Sequence, residues 1–182
     1  VRKMYTIGID LGGTNIVASV VDDEYKIIGT SKTPTNAPRS ADEIFDDISE
    51  VCEEAVKAAN LTMADIDSVG MGTPGTVNQD GIIEFANNLA FNNVPARTML
   101  AKRLNKPEEK IYIENDANCA ALGEAYAGVG NGAKDFVAVT LGTGVGSGVI
   151  IDGKIVNGVN YAGGECGHMV IVVDCLLYTS PS

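Results

Sequence analysis

The feature that most constrains this chain is an apolar pattern that occurs twice, about 130 residues apart. Residues 7–14 read IGIDLGGT and residues 137–144 read VAVTLGTG, and a second apolar stretch follows each of them. This internal repeat predicts two copies of one β-hairpin, with a cleft between them in which both turns contact one ligand. A single glycine turn is usually structural. The pair predicts a ligand with phosphate groups, because backbone near glycine approaches a phosphate closely and directs N–H groups at it.

Length and composition predict a globular α/β protein. The 182 residues are 45% hydrophobic and 20% charged, and a chain of this length buries a substantial core. The formal net charge of −11 argues against a nucleic-acid partner, since such binding uses clustered Lys and Arg. No apolar run is long enough for a membrane span, and residues 1–4 lead into a strand without a hydrophobic signal segment. We therefore expect no membrane partner, no export and a cytoplasmic location.

The cysteines are scattered and lack the C-x-x-C spacing of a metal or redox motif; they are Cys52, Cys119, Cys166 and Cys175. This pattern indicates reduced thiols rather than a disulfide framework. Cys166 lies two residues before His168, the sole histidine, and the two could form half of a metal site. The alternative is a small buried thiol beside a turn histidine.

The order of predicted elements indicates a mixed α/β architecture. Three strands, at about 5–11, 15–21 and 25–33, are expected to form an antiparallel meander. A helix over residues 40–60 follows, in which Ser40 and Glu43 form a capping box. The remaining predicted elements are a strand near 66–72, a short hairpin around the turn 79–81, a helix at 95–105, a strand at 111–114, a helix from Asp116 to about Gly128, a second hairpin at 136–151 and a strand after the turn 152–153. We expect a boundary between two lobes near 114–134, with Gly128, Gly130 and Gly132 as pivots.

Three segments combine residue types that carry chemistry. Asp116 lies in the sequence ENDAN at 114–118, where a strand ends and a helix begins, and it is either a general base facing the cleft or a helix cap. Asn87, Asn88, Asn92 and Asn93 form an amide-rich loop, which either only turns the chain or binds a polyhydroxylated ligand.

The third segment is GGECGH at 163–168, which places His168 three residues after Glu165 in a glycine-rich loop. A lone histidine is usually a satisfied surface or core group. Taken together, two phosphate-type turns, an acid at a helix start, an amide-rich loop and a Glu/His loop indicate phosphoryl transfer to a sugar hydroxyl.

Four motifs occur in order, at 10–14 (DLGGT), 114–118 (ENDAN), 141–146 (LGTGVG) and 164–168 (GECGH). Together they resemble the ROK family of sugar kinases, within the actin-like ATPase superfamily, and most closely its bacterial glucokinases. The resemblance covers residues 4–174. It implies an α/β protein with the actin-like ATPase (ribonuclease H-like) fold, in which a mixed sheet is packed with helices and the second lobe is incomplete.

The resemblance implies a reaction in which ATP with Mg²⁺ phosphorylates the 6-hydroxyl of glucose or a related hexose. Asp116 would take the proton of that hydroxyl, and Asp10 would assist the magnesium shell. The residues implied to hold the nucleotide are Asp10, Gly12, Gly13, Thr14, Gly142, Thr143 and Gly144. The residues implied to contact the sugar are Gly75, Asn88, Asn115, Asp116, Glu165 and His168. N-acetylglucosamine, N-acetylmannosamine or fructose could replace glucose, and the full-length protein is expected to be a homodimer.

The resemblance also implies how the chain divides. Residues 1–116 would form the small lobe and residues 117–174 the start of the large lobe, while residues 175–182 match no family pattern and are expected to be a non-native tail. The family continues after the Glu/His loop with a cysteine-rich zinc segment, a further sugar-binding Glu and the adenosine pocket. His168, a zinc ligand in the family, is without those cysteines in this sequence, so Zn²⁺ is expected only in a full-length protein.

We therefore interpret the chain as the N-terminal part of a kinase. On its own it is expected not to phosphorylate glucose, and to expose apolar surface over 137–173.

Two other classes remain as alternatives that the sequence disfavours. ROK repressors carry an N-terminal helix-turn-helix, whereas only four residues precede the first predicted strand. A filament-forming or chaperone-like ATPase of the superfamily would not need Glu165 and His168 together with an asparagine-rich sugar loop.

Overall fold

The computed structural model describes residues 3–142 and 144–169 of the chain. The chain divides between Asn115 and Asp116 into two compact units. The tail expected at 175–182 lies outside the described residues. Gly128 and Gly130, two of the three expected pivots, lie within the second unit, where their N–H groups donate to the carbonyl oxygen of Glu124.

The first unit contains eight strands and two α-helices among the described residues. In chain order they are β1 (Tyr5–Leu11), β2 (Asn15–Val21), β3 (Ile27–Pro34), α1 (Ala41–Ala58), β4 (Ile66–Thr73), β5 (Thr76–Val77), β6 (Ile83–Ala86), β7 (Phe91–Val94), α2 (Ala96–Leu104) and β8 (Ile111–Asn115). The predicted antiparallel meander of β1, β2 and β3 is confirmed. Strand β3 begins two residues later than predicted, because Tyr25 adopts a left-handed φ of 60° in the preceding turn.

The central sheet has the strand order β3-β2-β1-β4-β8, and β4 and β8 run parallel to β1. Asp10 of β1 lies opposite Gly72 of β4, and Thr73 of β4 lies opposite Asn115 of β8. Three strands therefore end at one edge of the sheet. In α/β proteins this carboxyl edge of parallel strands is where ligands bind.

Helix α1 covers the sheet and begins as its sequence predicts. The Glu43 N–H donates to the Ser40 hydroxyl at 3.3 Å, and the Ser40 N–H donates to the Glu43 carboxylate at 3.1 Å. The hydrogen bond from the Ser40 hydroxyl lowers the pKa of Glu43. The apolar face of this helix is buried against the sheet; it consists of Ile44, Phe45, Ile48, Val51, Cys52, Ala55 and Val56. Burial raises the pKa of the Cys52 thiol to about 12, as befits an unreactive core residue.

Strands β5, β6 and β7 form a separate antiparallel sheet in the first unit. The hairpin predicted around residues 79–81 is confirmed. The prediction of one amide-rich loop is wrong for Asn92 and Asn93, which lie in β7, with Asn92 paired to Phe85 of β6. Pairing with β6 and burial of Phe91 and Val94 at the two ends outweigh the low strand propensity of asparagine.

The second unit, in its described part, consists of α3 (Asp116–Ala127), β9 (Phe136–Leu141), β10 (Val145–Ile151) and β11 (Lys154–Ile155), and the strands form an antiparallel sheet of order β11-β10-β9. The second predicted hairpin is thus confirmed. Strand β10 packs directly on α3, because β10 has glycines, which lack a side chain, where the two elements touch. A Cβ built on Gly148 would lie 2.5 Å from the Cβ of Ala121.

Strand β9 is an edge of this sheet and carries exposed apolar side chains. Val137 and Val139 are each 56% exposed and Leu141 is 83% exposed. The apolar surface predicted over 137–173 is therefore present at these positions, while the portion of the segment after Met169 lies outside the described residues. No helix among residues 3–142 and 144–169 has both the length and the apolar character that a membrane span requires.

The close packing of β10 on α3 predicts opposite effects for two glycine substitutions. Gly148→Ala should lower the free energy of unfolding by about 1–3 kcal/mol, because the new methyl group overpacks against Ala121. Gly123→Ala, within α3, should raise it by up to about 1 kcal/mol, because open space surrounds Gly123 and alanine favours a helix. Urea unfolding of both variants measures the difference. Equal stability of the two variants would contradict the contact.

Candidate active site

The carboxyl edge of the central sheet gathers residues that are far apart in sequence. Asp10 lies at the end of β1, Thr73 ends β4, and Asn115 ends β8. Their proximity follows from the parallel register of the three strands. Glu114 of β8 lies in the same row as Asp10, across Gly72, so this edge carries two carboxylates and the Asn115 amide, groups that bind a cation and polar ligands. The Thr73 hydroxyl is buried and donates to the Pro74 carbonyl oxygen at 3.3 Å.

Asp10 has an altered titration behaviour. Partial burial raises the pKa of the Asp10 carboxyl, because removal from water disfavours the charged form. The attraction between opposite charges is stronger where water is partly excluded. A cation therefore stabilises a partly buried carboxylate more than a fully hydrated one.

The first glycine turn, residues 12–14, connects β1 to β2 as a tight hairpin. The Gly12 N–H donates to the Asn15 carbonyl oxygen at 2.9 Å. Thr35, fully buried, holds the turn from the other side: its hydroxyl donates to the Gly12 carbonyl at 2.6 Å and its N–H donates to the Thr14 carbonyl at 2.9 Å. Thr35 therefore fixes the orientation of two peptide groups of the turn.

Thr35 is itself held by an ion-paired arginine. The Arg39 guanidinium donates to the Thr35 carbonyl oxygen through Nε at 3.0 Å and Nη2 at 2.8 Å, and it pairs with the Asp47 carboxylate of α1. Sequence reasoning missed Thr35, because no periodicity or motif marks a threonine that follows an edge strand. The role of Thr35 is recognised only in the structure, where its buried hydroxyl donates to a carbonyl group far away in the sequence.

The structure brings Gly13 and Asn88 together. A Cβ built on Gly13 would lie 3.4 Å from the Cβ of Asn88, at ordinary van der Waals contact. Asn88 lies in a short 3₁₀ helix, Asn87–Leu89, and is exposed. A residue expected to hold phosphate and one expected to contact sugar are thus neighbours within the first unit.

Gly75 and Asn115 are also adjacent. The Asn115 side-chain amide donates to the Gly75 carbonyl oxygen at 3.1 Å. Gly75 has a φ of +93°, and a Cβ there would lie 2.0 Å from the carbonyl oxygen of Phe85, so only glycine fits this position. The hydrogen bond fixes the direction of the Asn115 amide at the end of β8.

Asp116 is the first residue of α3, as predicted, and its side chain is exposed. Its Oδ1 accepts a hydrogen bond from the Ala117 N–H at 2.8 Å. Asp116 therefore lies at the end of α3 where the helix dipole is positive. Both roles considered for Asp116, helix cap and proton acceptor, are compatible with this geometry.

The second glycine turn joins β9 to β10. The Gly142 N–H donates to the Gly144 carbonyl oxygen at 2.9 Å. Thr143, which the sequence places in this turn, lies outside the described residues. Gly146 of β10 follows, and a Cβ there would lie 3.0 Å from the Cβ of Ala117. Strand β10 therefore leaves the turn in close contact with the first residues of α3.

The Glu/His loop is attached to β10 by Ser147, a second buried residue that sequence reasoning missed. The Ser147 hydroxyl donates to the Gly164 carbonyl oxygen, and the Cys166 N–H donates to the Ser147 Oγ at 3.0 Å. Ser147 is 3% exposed, and Glu165 is half-buried. The backbone on both sides of Glu165 is therefore held by one hydroxyl group.

The zinc role expected of His168 stays a prediction. His168 ends a short 3₁₀ helix, Cys166–His168, and its side chain lies outside the description. In the described part of the chain, no group of three or more His, Cys, Asp or Glu side chains is arranged to hold a metal ion. We therefore assign no step to zinc.

Comparisons with known proteins identify the family and the fold. The ROK family model matches residues 6–177. Glucokinase of Streptomyces coelicolor is 40% identical over 173 residues, which are 94% of this chain and 51% of that protein. N-acetyl-D-glucosamine kinase of Citrobacter koseri is 37% identical over 170 residues, which are 93% of this chain and 54% of that protein. The chain spans about half the length of the curated relatives it matches.

A solved structure shows the same architecture. The crystal structure of a ROK family glucokinase from Streptomyces griseus, in complex with glucose and AMPPNP, matches with a TM-score of 0.82 and 38% identity, over 95% of this chain and 53% of that chain. The actin-like ATPase fold implied by the sequence motifs is thereby confirmed.

Proposed function

We propose that this chain, which belongs to the ROK family, provides residues of an ATP-dependent hexose kinase that phosphorylates the 6-hydroxyl of glucose. The observation that carries the proposal is the position of Asp116 at the first residue of α3, directly after the strand β8 that ends at the carboxyl edge of the central sheet. An exposed carboxylate there is available to a sugar hydroxyl. The similarity to glucokinases over nearly the whole chain supports the choice of reaction.

In the proposed reaction, Asp116 accepts the proton of the 6-hydroxyl while the hydroxyl oxygen forms a bond to the γ-phosphorus of ATP. The bond from that phosphorus to the oxygen bridging to the β-phosphorus breaks, and ADP leaves. An alcohol is a poor nucleophile near neutral pH, and a positioned carboxylate contributes about 10²–10⁴-fold to such a step.

The nucleotide is assigned to the two glycine turns. The Gly12 N–H is bonded to the Asn15 carbonyl and the Gly142 N–H to the Gly144 carbonyl, so these two glycines would shape the turns. The backbone N–H groups of Gly13 and Thr14 in the first unit, and of residues 143–144 in the second, would bind phosphate oxygens. Asp10 would hold Mg²⁺, which fits a carboxylate near a strand end because Mg²⁺ binds one or two carboxylates together with substrate phosphates. When bound, Mg²⁺ neutralises charge on the phosphoryl oxygens.

The sugar is assigned to polar groups of both units. In the first unit these are Asn88 and Asn115, the latter directed by the carbonyl oxygen of Gly75. In the second unit they are Asp116, Glu165 and His168. Amide and carboxylate groups pair with sugar hydroxyls as donors and acceptors, respectively.

A sugar panel tests this proposal. The complete gene product is incubated with Mg-ATP and, in turn, glucose, N-acetylglucosamine, N-acetylmannosamine and fructose, and ADP release is measured. We expect glucose to give the highest kcat/KM. The similarity to N-acetyl-D-glucosamine kinase favours N-acetylglucosamine as the second candidate. Sugar binding without ADP release would instead indicate the sugar-binding domain of a repressor, and ADP release independent of sugar would indicate another ATPase class.

The contact between Thr35 and the first glycine turn predicts a selective effect on the nucleotide. Thr35→Val keeps the shape of the side chain but leaves the Gly12 carbonyl without its hydroxyl donor, so the KM for ATP should rise about 5- to 10-fold. Thr35→Ser retains the hydroxyl and should keep a KM near that of the wild type. Initial rates over a range of ATP and of glucose measure both constants. An equal rise of the two KM values in Thr35→Val would contradict the assignment.

A further inference from the structure

Ser147 is a buried polar residue whose hydroxyl connects β10 to the loop that carries Glu165. The hydroxyl donates its proton to the Gly164 carbonyl and accepts from the Cys166 N–H, and so bonds on both sides of Glu165. A serine hydroxyl has one donor and two acceptor positions, so this arrangement uses the donor and one acceptor together.

Two glycines bring the same loop against β10. Gly164 has a φ of +84°, and a Cβ there would lie 3.4 Å from Cγ2 of Val149. A Cβ on Gly167 would lie 1.9 Å from the carbonyl oxygen of Val145, so this position admits only glycine. The backbone on either side of Glu165 is therefore in direct contact with the strand, and Ser147 supplies the side-chain hydrogen bonds at the centre of that contact.

Strand β10 also follows the second glycine turn directly, since it begins at Val145, one residue after Gly144. Ser147 lies three residues after that turn. One strand thus carries the end of a turn assigned to phosphate and the residue whose side chain is hydrogen-bonded to a loop assigned to sugar.

We propose that Ser147 is a positioning residue for the sugar: it holds the Glu165 carboxylate in the orientation that binds sugar hydroxyls, and so sets sugar affinity without touching the sugar. This inference rests on the proposed kinase function. The Cys166 N–H also donates to the Gly164 carbonyl oxygen at 2.7 Å, so the turn around Glu165 remains closed without the hydroxyl. Loss of the hydroxyl removes the side-chain link between this turn and β10, and the loop gains freedom relative to the strand that sugar binding must then remove.

The test compares Ser147→Ala with the wild-type complete gene product in steady-state kinetics. We expect Ser147→Ala to raise the KM for glucose about tenfold or more, with the KM for ATP changed by less than about twofold. Ser147→Cys, nearly the same in shape but with a weak hydrogen-bonding thiol, should show the same split to a smaller extent. If the alanine variant does not fold, the two KM values of Ser147→Cys test the inference instead.

Ser19→Ala is the matched control, because Ser19 is a strand serine in the first unit whose hydroxyl is hydrogen-bonded to that of Thr30 at 3.0 Å. It should leave both KM values unchanged. If Ser147→Ala lowers the melting temperature but leaves the KM for glucose unchanged, or raises both KM values equally, Ser147 has only a structural role and the inference is overturned. A wild-type protein without sugar-dependent ADP release would instead overturn the proposed function, which separates the two failures.

Discussion

Asp116→Asn in the complete gene product should lower kcat at least about a hundredfold while glucose still binds. The amide keeps the size of the side chain and most of its hydrogen bonds, including an oxygen that can accept from the Ala117 N–H, but it cannot take the proton of the sugar hydroxyl. Steady-state ADP release gives kcat, and calorimetric titration with glucose gives the affinity.

Asp42→Asn is the matched control for this experiment. Asp42 lies in the first turn of α1, as Asp116 lies in the first turn of α3, so both substitutions remove a negative charge from a helix N-terminus. Asp42→Asn also breaks the ion pair of Asp42 with the Arg103 guanidinium, at 2.8 Å, so kcat is the quantity for which it serves as control. The interaction of that charge with the helix dipole contributes about 0.3–1 kcal/mol at an exposed site. If Asp116 is only a cap, both variants should lose a little stability and keep the wild-type kcat, since asparagine caps nearly as well as aspartate. That outcome would contradict the role of Asp116 as base.

Glu165→Ala should weaken glucose binding at least about tenfold and change ATP binding little. A hydrogen bond to a charged group contributes about 1.5–3 kcal/mol, and Glu165 is assigned to the sugar alone. Glu165→Gln, which keeps the hydrogen-bonding shape without the charge, should lie between alanine and wild type.

Separate titrations with glucose and with a non-hydrolysable ATP analogue decide this second prediction. Equal loss of both affinities would show that Glu165 serves the folding of its loop, which Ser147 ties to β10. A loss confined to glucose, larger for alanine than for glutamine, supports a carboxylate that contacts the sugar.

Elements whose causes lie within a few residues could be predicted from the sequence. The capping box of Ser40 and Glu43 involves groups three residues apart, and the buried face of α1 follows from the spacing of its apolar residues. The start of α3 at Asp116 and the hairpin of β9 and β10 were predicted for the same reason. Local spacing determines which backbone hydrogen bonds form in these elements.

The parallel arrangement of β1, β4 and β8 became clear only from the tertiary structure. No local sequence pattern indicates which distant strands pair. It is this pairing that brings Asp10, Thr73 and Asn115 to one edge of the sheet. Asn92 illustrates the same limit, because its residue type favours a turn and only pairing with Phe85 of β6 makes it part of β7. Asn93, next to it in β7, keeps the left-handed φ of 52° that asparagine tolerates.

By itself, the sequence determined the family motifs, the identity of the candidate site residues and most of the element boundaries, since these depend on residue type and short-range spacing. The tertiary structure alone decided which buried hydroxyl groups hold the site in place. Thr35 bonds to Gly12 across 23 residues, and Ser147 bonds to Gly164 across 17 residues. A threonine or serine has no sequence signal for such a role, because its hydrogen-bond partner is defined only when the folded chain brings a distant carbonyl group beside it.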